Sequence, residues 1–488
     1  MNYLKKHPEY LWLAAILTLS TLLRLAFLHE PFEMDEGQYA GIAQEILRGG
    51  LPYRDAIEIK PPGAFYLYAL AITTFGATTE AIRIFTALYA GMTLLAVYAV
   101  TRALSGVRGA LWGALIFGVY STFPLLQGSG CNTEVFLLLP LTAGAWFFIT
   151  AADQGKRSYL HGAGLCAGIA LLIKPVALPL VALQLLLILF LPPATGRIKS
   201  AALNLAAFIL PLGLCALATF SYFFLKGGLD DLLYWTFEFP RHYRESGAGG
   251  LTPAKALNYL ASSLLVPALL GLPSALWLGV TRRTMAGIFP LALLLAASLA
   301  VTLPGKYFPH YFITLLPFLA IPGGVGLGRI LEMTGVPRIL ALLILLAAVA
   351  LSVEKNYKFY VVYSPETVSL RKYGVPLFVE SAAVARYLRE HTRPDEYIFQ
   401  WGMAPELYFL ADRRFPNPFL GSLVPGWSRN PDRAAETLLQ SLNQKRPAYL
   451  VVQPECADFR GEKEVSSYLQ TNCSEETRIG YAILFRCR

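Results

Sequence analysis

Long apolar runs alternate with short polar stretches over the first 354 residues of the chain. A helix that crosses a lipid bilayer needs about 20 predominantly apolar residues. By this criterion the pattern predicts about eleven spans and a mainly α, polytopic transmembrane helical bundle. The predicted spans are 10–28, 80–100, 109–127, 134–151, 160–173, 176–193, 201–225, 257–280, 286–303, 311–328 and 338–354. A sharp break at Lys174-Pro175 leaves the spans least defined over 160–193.

The pattern changes after residue 354, where charge rises and helical periodicity alternates with short β-like runs. Amphipathic helices are predicted at "SAAVARYLREH" and "RAAETLLQSLNQ", and strands at "EYIFQWG", "AYLVVQ" and "YAILFRC". Strands that alternate with helices are typical of a small α/β domain. We therefore predict a transmembrane domain at 1–354, with an outer loop at 29–79, and an α/β domain at 355–488.

Composition supports a multi-pass protein of the cell membrane. Of the 488 residues, 55% are hydrophobic and only 15% are charged, whereas about 25% of the residues in a soluble domain are charged. The net charge of +9 is typical of basic cytoplasmic loops, so it does not indicate a nucleic-acid partner.

Basic residues fall in alternate short loops, which the positive-inside rule assigns to the cytoplasm. These residues are Lys5 and Lys6, Arg102 and Arg108, Lys156 and Arg157, Arg197 and Lys199, Arg282 and Arg283, and Arg329 and Arg338. The N-terminus is then cytoplasmic, and loop 29–79 and the α/β domain are extracytoplasmic. An oxidising exterior would allow a disulfide among Cys456, Cys473 and Cys487, with its pairing left open.

The loop "MDEGQYAGIAQEILRGGLPYRDAIEIKPPG" concentrates the candidate chemistry. Asp35 begins a helical pattern and has two interpretations: an N-cap paired with Gln38 in a capping box, or a general base held at a helix N-terminus. Glu36 would be a favourable first-turn acid or the partner of that base. Lys60 precedes Pro61-Pro62, which stiffen its backbone, so it is either a phosphate-binding cation or an interface anchor.

Other candidates lie in or beside the remaining outer loops. Lys306, His310 and Tyr311 flank one such loop and are suited to donor phosphate oxygens. The accessory candidates are Glu58, Asn132, Glu134, Lys174, Arg241 and His242. Asn132 and Glu134 either cap the fourth span or take part in catalysis. Lys174 is an ionisable residue within apolar sequence, and such residues in membrane segments are candidates for a functional role. Arg241 and His242 belong to a glycine-rich loop that suits a lid.

The stretch "DEGQYAGIAQEILRGGLPYRDAIEIKPPGAFYLYAL" resembles the first outer loop of glycosyltransferase family 39, which has the C-type glycosyltransferase fold. That family includes protein O-mannosyltransferases and lipid A aminoarabinose transferases. Supporting stretches are "GSGCNTEVFLLLP", "LLIKP" and "KYFPHYFITLLPF". The resemblance implies transfer of a sugar from a polyprenyl-phosphate carrier to an outer-face acceptor, with inversion. It implies that Asp35 is the base, that Glu36 is its partner and that Lys60 contacts the donor phosphate.

One position departs from the aminoarabinose transferases, which carry a metal-binding acid immediately before Lys-Pro-Pro. Here Ile59 takes that place and Glu58 comes one residue earlier, which reverses the side-chain direction on an extended segment. No cofactor is identified, and a divalent metal stays open, with Glu58 and His310 as candidate ligands.

The expected partners are a polyprenyl-phosphate sugar, membrane lipid, and a lipid, glycan or protein acceptor. An alternative function is a transporter or flippase of lipid-linked sugar intermediates. Transporters place ionisable residues near the bilayer midplane and often contain inverted repeats. The centres of the predicted spans are nearly free of charge and no repeat is evident, which favours the transferase.

Overall fold

The computed structural model describes residues 7–191, 197–240, 252–282, 284–453 and 459–488. The chain forms two compact units that each draw on separate parts of the sequence. The first unit comprises Met1–Leu28, Arg83–Phe220 and Gly247–Tyr363, and the second comprises His29–Ile82, Ser221–Ser246 and Ser364–Arg488. This division differs from a single boundary at residue 354, because the first outer loop belongs to the same unit as the tail.

The described part of the first unit is built from helices. They are Glu9–Leu25, Thr79–Tyr120, Thr133–Gln154, Ser158–Ile173, Leu178–Ile188, Arg197–Leu225, Pro253–Ser263, Leu265–Thr281, Met285–Thr302, Leu316–Glu332 and Gly335–Val361. Two of them, Thr79–Tyr120 and Arg197–Leu225, also contribute residues to the second unit. Short 3-10 turns occur at Pro124–Leu126, Pro175–Ala177 and Pro309–Leu315.

By length and composition, 6 helices in the described residues could cross a membrane, or 7 if the bent pair Pro253–Ser263 and Leu265–Thr281 is one span. The sequence pattern predicts about eleven. The counts differ partly because the predicted spans 80–100 and 109–127 share one 42-residue helix that is broken at Gly106. They also differ because 160–173 and 176–193 form shorter apolar helices. The number of spans stays a prediction.

Three of the predicted cytoplasmic loops meet at one end of the first unit. Arg282 donates to the carbonyl oxygen of Leu104 at 2.8 Å, and Arg108 lies 4.0 Å from Glu332. A different set of loops meets around Glu134, as described below. This grouping agrees with the predicted alternation of loops, and the side of the membrane on which each set lies stays a prediction.

The second unit combines helices with one four-stranded sheet. The helices are Met34–Leu47, Gly63–Phe75, Leu229–Leu233, Pro365–Tyr373, Leu377–His391, Glu406–Ala411, Val424–Trp427, Pro431–Lys445 and Glu462–Asn472, with a π-helical turn at Tyr234–Glu238. The strands are β1 (Ile398–Trp401), β2 (Tyr449–Val452), β3 (Cys473–Ile479) and β4 (Ala482–Cys487).

The sheet has the order β1-β2-β4-β3, with β1 parallel to β2 and the other pairs antiparallel. The three runs predicted as strands form β1, β2 and β4. The sequence pattern did not predict β3, because this edge strand is mostly polar and largely exposed. A disulfide joins Cys473 to Cys487 across β3 and β4, whereas Cys456 lies outside the described residues.

The helix Met34–Leu47 is buried by other parts of the second unit. Its Tyr39, Ile42 and Ala43 are inaccessible to solvent. At Gly37 an added Cβ would lie 2.1 Å from the Cβ of Glu406, so this close approach requires glycine. Further along the helix, Glu45 pairs with Arg414 at 3.2 Å. The first outer loop therefore packs directly on the tail.

Candidate functional site

The first turn of helix Met34–Leu47 is capped by Glu33. The Glu33 carboxylate accepts from the backbone N–H groups of Asp35 at 3.1 Å and Glu36 at 3.2 Å. The Glu36 carboxylate in turn accepts from the N–H of Glu33 at 3.3 Å, which completes a capping box. The N-cap is therefore Glu33, two residues before Asp35, and the predicted capping box of Asp35 and Gln38 is wrong. Gln38 instead donates to the carbonyl oxygen of Ile57 at 3.3 Å.

Lys60 lies beside two carboxylates of the same loop. Its Nζ atom is 3.2 Å from Glu58 Oε1 and 3.7 Å from Asp35 Oδ2. The ammonium also lies 4.9 Å from the centre of the Tyr39 ring. The Tyr53 hydroxyl donates to the backbone oxygen of Lys60 at 2.7 Å, which fixes the segment before Pro61. The structure thus brings Asp35, Glu58 and Lys60 together.

Glu58 takes part in this cluster, although it lies two residues before Lys60 and not immediately before it. The chain bends at Ile59 and Lys60. This bend lets the Lys60 ammonium donate to Glu58 Oε1 at 3.2 Å while the Ile59 N–H donates to the same oxygen at 2.8 Å. The Glu58 side chain is only 6% exposed. Over the ranges that the structure describes, no group of three or more His, Cys, Asp or Glu side chains is placed to hold a metal ion.

A cavity of about 110 Å³ lies at this cluster. The first outer loop lines one part of it with Met34, Asp35, Gln38, Ile57, Glu58, Ile59 and Lys60. The tail lines the other part with Met403, Pro405, Gly421, Leu423, Val424 and Trp427. The loop supplies every charged group among these lining residues, and the tail supplies an apolar wall.

The capping carboxyl of Glu33, which does not line the cavity, is electrostatically perturbed. Burial raises the pKa of Glu33 well above its ordinary value, and the nearby carboxylates of Asp35 and Glu36 raise the same pKa further. Glu36 is 1% exposed and does not line the cavity. Its observed role is in the capping box, and its role as partner of a base stays a prediction.

Several other candidates meet within the first unit. Lys174 forms an ion pair with Glu134, and His310 Nε2 lies 3.8 Å from the same Glu134 oxygen. The Lys174 ammonium is 4.3 Å from the centre of the Tyr311 ring. The other His310 ring nitrogen, Nδ1, is 3.0 Å from Gln127 Oε1. The structure therefore joins residues from three separate segments that the sequence predicts to be outer loops.

The remaining candidates are placed differently. Asn132 occupies the N-cap position of helix Thr133–Gln154 but makes no side-chain capping hydrogen bond. Its Nδ2 atom has no hydrogen-bond partner among the described residues. Lys306 lies in the loop before Pro309–Leu315, where burial lowers its pKa. Arg241 and His242 lie outside the described residues.

Sequence reasoning missed Glu33, Gly37 and Trp427. Glu33 had a local signal, because an acid three residues before Glu36 fits a capping box. Gly37 and Trp427 had none, because their roles depend on contacts with residues far away in the sequence.

Comparisons with known proteins cover different lengths of the chain. Residues 59–223 match the family described as dolichyl-phosphate-mannose-protein mannosyltransferase. Over 180 residues the chain is 29% identical to the undecaprenyl phosphate-alpha-4-amino-4-deoxy-L-arabinose arabinosyl transferase of Pseudomonas savastanoi pv. phaseolicola. That alignment covers 34% of this chain and 33% of the relative, so the chain matches about a third of the relative's length.

Similar solved structures cover nearly the whole chain. ArnT from Cupriavidus metallidurans has a TM-score of 0.64 in both its apo form, at 16% identity, and its form bound to undecaprenyl phosphate, at 14%. Each alignment covers 98% of this chain and 97% of ArnT. The archaeal oligosaccharyltransferase AglB from Archaeoglobus fulgidus, with an inhibitory peptide and a dolichol-phosphate, has a TM-score of 0.58 at 14% identity, covering 92% of this chain and 70% of AglB.

The chain has the C-type glycosyltransferase fold. The resemblance inferred from the first outer loop is confirmed, and the apolar helices together with this fold make the chain a multi-pass membrane protein. The family match at 59–223 includes Lys60, Glu134 and Lys174, begins after Asp35 and ends before His310. The C-type fold match, by contrast, extends over both units.

Proposed function

We propose that the chain is a membrane glycosyltransferase that moves a sugar from a polyprenyl-phosphate carrier to an acceptor on the extracytoplasmic side, with inversion at the anomeric carbon. The observation that carries this proposal is the shared cavity of Asp35, Glu58 and Lys60. Three similar proteins support the donor class, because one is named for undecaprenyl phosphate and two were solved with undecaprenyl phosphate or dolichol-phosphate. The acceptor is a lipid, glycan or protein.

In this mechanism Asp35 is the general base and removes the proton from the acceptor hydroxyl. The acceptor oxygen forms a bond to the anomeric carbon while the bond from that carbon to the phosphate oxygen breaks. The phosphate leaves with the bonding electrons and needs no proton, because Lys60 stabilises its negative charge. Glu33 holds the first helical turn and thereby fixes the backbone of Asp35.

The ion pair of Asp35 and Lys60 links donor binding to activation of the base. Two carboxylates, from Asp35 and Glu58, lie beside one ammonium. A donor phosphate competes with these carboxylates for Lys60. Because the Asp35 contact is the longer of the two, we expect the phosphate to replace it first, which releases the Asp35 carboxylate for the acceptor hydroxyl.

The proposed orientation places loop 29–79 and the α/β part at 355–488 outside the cytoplasm. The disulfide between Cys473 and Cys487 supports this side, because disulfides persist in oxidising compartments. Nucleotide sugars are made in the cytosol, so a lipid carrier is the donor that suits a site on the outer face.

The test uses the purified full-length protein in detergent, supplied with polyprenyl-phosphate sugars or with nucleotide sugars. We expect cleavage of the sugar–phosphate bond and glycosylation of an acceptor only with the lipid-linked donor. Turnover with nucleotide sugars alone would contradict the donor class. Transport of intact lipid-linked sugar across vesicles without cleavage would favour a flippase.

A further inference from the structure

Trp427, which lines the cavity, is held by residues from another part of the second unit. The Tyr234 hydroxyl donates to the backbone oxygen of Trp427 at 2.6 Å. The Phe239 ring stacks on the Trp427 ring, with 5.3 Å between centroids and 30° between planes. Trp235 packs against both Tyr234 and Phe239. We call Tyr234, Trp235 and Phe239 the aromatic clasp.

Arg429 links the loop of Trp427 to the segment that carries the clasp. Its guanidinium contacts Asp230 at 2.7 Å and Glu238 at 2.8 Å, and lies 4.5 Å from the centre of the Tyr234 ring. Two clasp residues, Tyr234 and Trp235, lie in the π-helical turn Tyr234–Glu238, and such turns occur frequently at functional sites. Both the backbone and the ring of Trp427 are therefore positioned before any ligand binds.

The cavity presents two kinds of surface that match the two kinds of surface on a sugar. A sugar ring has hydroxyl groups at its rim and an apolar face of C–H bonds. Aromatic rings carry a negative face, which attracts the partial positive charge of such C–H groups. Among the described residues that line the cavity, Trp427 is the only aromatic, and Asp35, Glu58 and Lys60 supply the charged groups.

The size of the cavity limits what can stack there. Its volume of about 110 Å³ is well below the 300–1,000 Å³ that is typical of pockets for drug-sized ligands. The cavity therefore has no room for a whole oligosaccharide. In a polyprenyl-phosphate sugar the ring is bonded directly to the phosphate, so a phosphate at Lys60 leaves the ring within the same small cavity.

We infer that Trp427 is a specificity residue on which the monosaccharide ring of the donor stacks, and that the aromatic clasp positions it. This inference rests on the proposed function and adds a residue that recognises the donor sugar. It assigns the apolar wall of the tail to sugar recognition and the charged loop to the phosphate and the acceptor hydroxyl.

The test compares two ligands on the purified full-length protein: a polyprenyl phosphate and the same polyprenyl phosphate carrying one sugar. In Trp427→Ala we expect affinity for the sugar-bearing lipid to fall by about tenfold, as for loss of aromatic stacking together with its buried area. Affinity for the bare polyprenyl phosphate should stay near that of the wild type. Trp427→Phe keeps an aromatic face and should recover most of the lost affinity.

Two controls separate the possible outcomes. Trp12→Ala removes an exposed tryptophan of helix Glu9–Leu25 and should change neither affinity. Lys60→Ala should weaken both ligands, because both carry the phosphate. Equal weakening of both ligands in Trp427→Ala, or no rescue by Trp427→Phe, would overturn the inference. If the wild type bound neither ligand, the proposed function itself would fail, and the inference with it.

Discussion

The Nζ atom of Lys60 lies 3.7 Å from the Oδ2 atom of Asp35, so the proposed phosphate-binding cation and the proposed base form an ion pair. Glu58 holds the same ammonium at 3.2 Å. A donor phosphate can bind Lys60 only in competition with these carboxylates. Donor binding at Lys60 should therefore free the Asp35 carboxylate to act as the base. The role of each residue can be tested separately.

Asp35→Asn should abolish transfer with little effect on folding. The helix N-cap is Glu33, so the amide leaves the capping box intact. Loss of one charge in the first helical turn typically costs about 0.3–1 kcal/mol. Loss of the general base should lower kcat by about 100-fold or more. Steady-state kinetics and thermal unfolding check the two effects.

Glu33→Gln is the matched comparison for Asp35→Asn, because it changes a neighbouring acid that does not line the cavity. It should keep measurable transfer while weakening or altering the capping box. If the Asp35→Asn protein kept the kcat of the wild type, the general base would be another residue.

Lys60→Ala should weaken donor use. Hydrogen bonds to charged groups contribute about 1.5–3 kcal/mol, so kcat/KM for the donor should fall at least about tenfold. Lys60→Arg should recover only part of this loss, because a planar guanidinium does not replace a compact ammonium. The exposed Lys463, on helix Glu462–Asn472, offers Lys463→Ala as a control with wild-type kinetics. Unchanged kcat/KM in Lys60→Ala would remove Lys60 from the donor site.

The proximity of Asp35 and Lys60 could be predicted because both residues lie in one short loop with helix and proline signals. The pattern of short β-like runs bounded by turn residues likewise predicted β1, β2 and β4, whose buried residues are mostly apolar. It could not predict the polar edge strand β3. It also could not predict the wall around Trp427, because hydropathy carries no information on which distant segments pack together. The capping assignment failed because two acids, Glu33 and Asp35, competed for one N-cap position.

Gly37→Ala should destabilise the second unit. The new Cβ would lie 2.1 Å from the Cβ and 2.3 Å from the Cα of Glu406, and neither atom belongs to a flexible side-chain end. Overpacking of this kind costs about 1–3 kcal/mol. Denaturant unfolding of the purified protein measures the change.

Gly41→Ala is a matched control on the same helix. Its new Cβ would meet only Leu420 at 3.8 Å, which is ordinary van der Waals contact. Because alanine favours helix over glycine by about 1 kcal/mol, Gly41→Ala should be neutral or stabilising. Equal destabilisation by the two substitutions would contradict the close approach of Gly37 to Glu406.

Glu406 should make stability fall as pH rises toward neutrality. Burial raises the pKa of Glu406 from 4.5 to about 7, and the hydrogen bond from Ser381 offsets only part of this effect. The Glu406 Oε2 atom has no hydrogen-bond partner among the described residues, as suits a neutral carboxyl. Between pH 4.5 and about 7 the folded state therefore holds a proton that the unfolded state has lost. The free energy of unfolding should be highest below that range and about 3 kcal/mol lower above it.

Glu406→Gln tests this assignment because glutamine imitates the neutral carboxyl at every pH. Unfolding curves at several pH values should show a smaller loss of stability in Glu406→Gln than in the wild type, and the variant should be the more stable protein at pH values above about 7. Some pH dependence should persist, since burial and neighbouring carboxylates also raise the pKa of Glu33. Glu33→Gln should separately remove the pH dependence of stability that comes from Glu33. A Glu406→Gln protein with the full pH dependence of the wild type would show that Glu406 is ionised in the folded state, which would require a cation or further donors at its buried carboxylate.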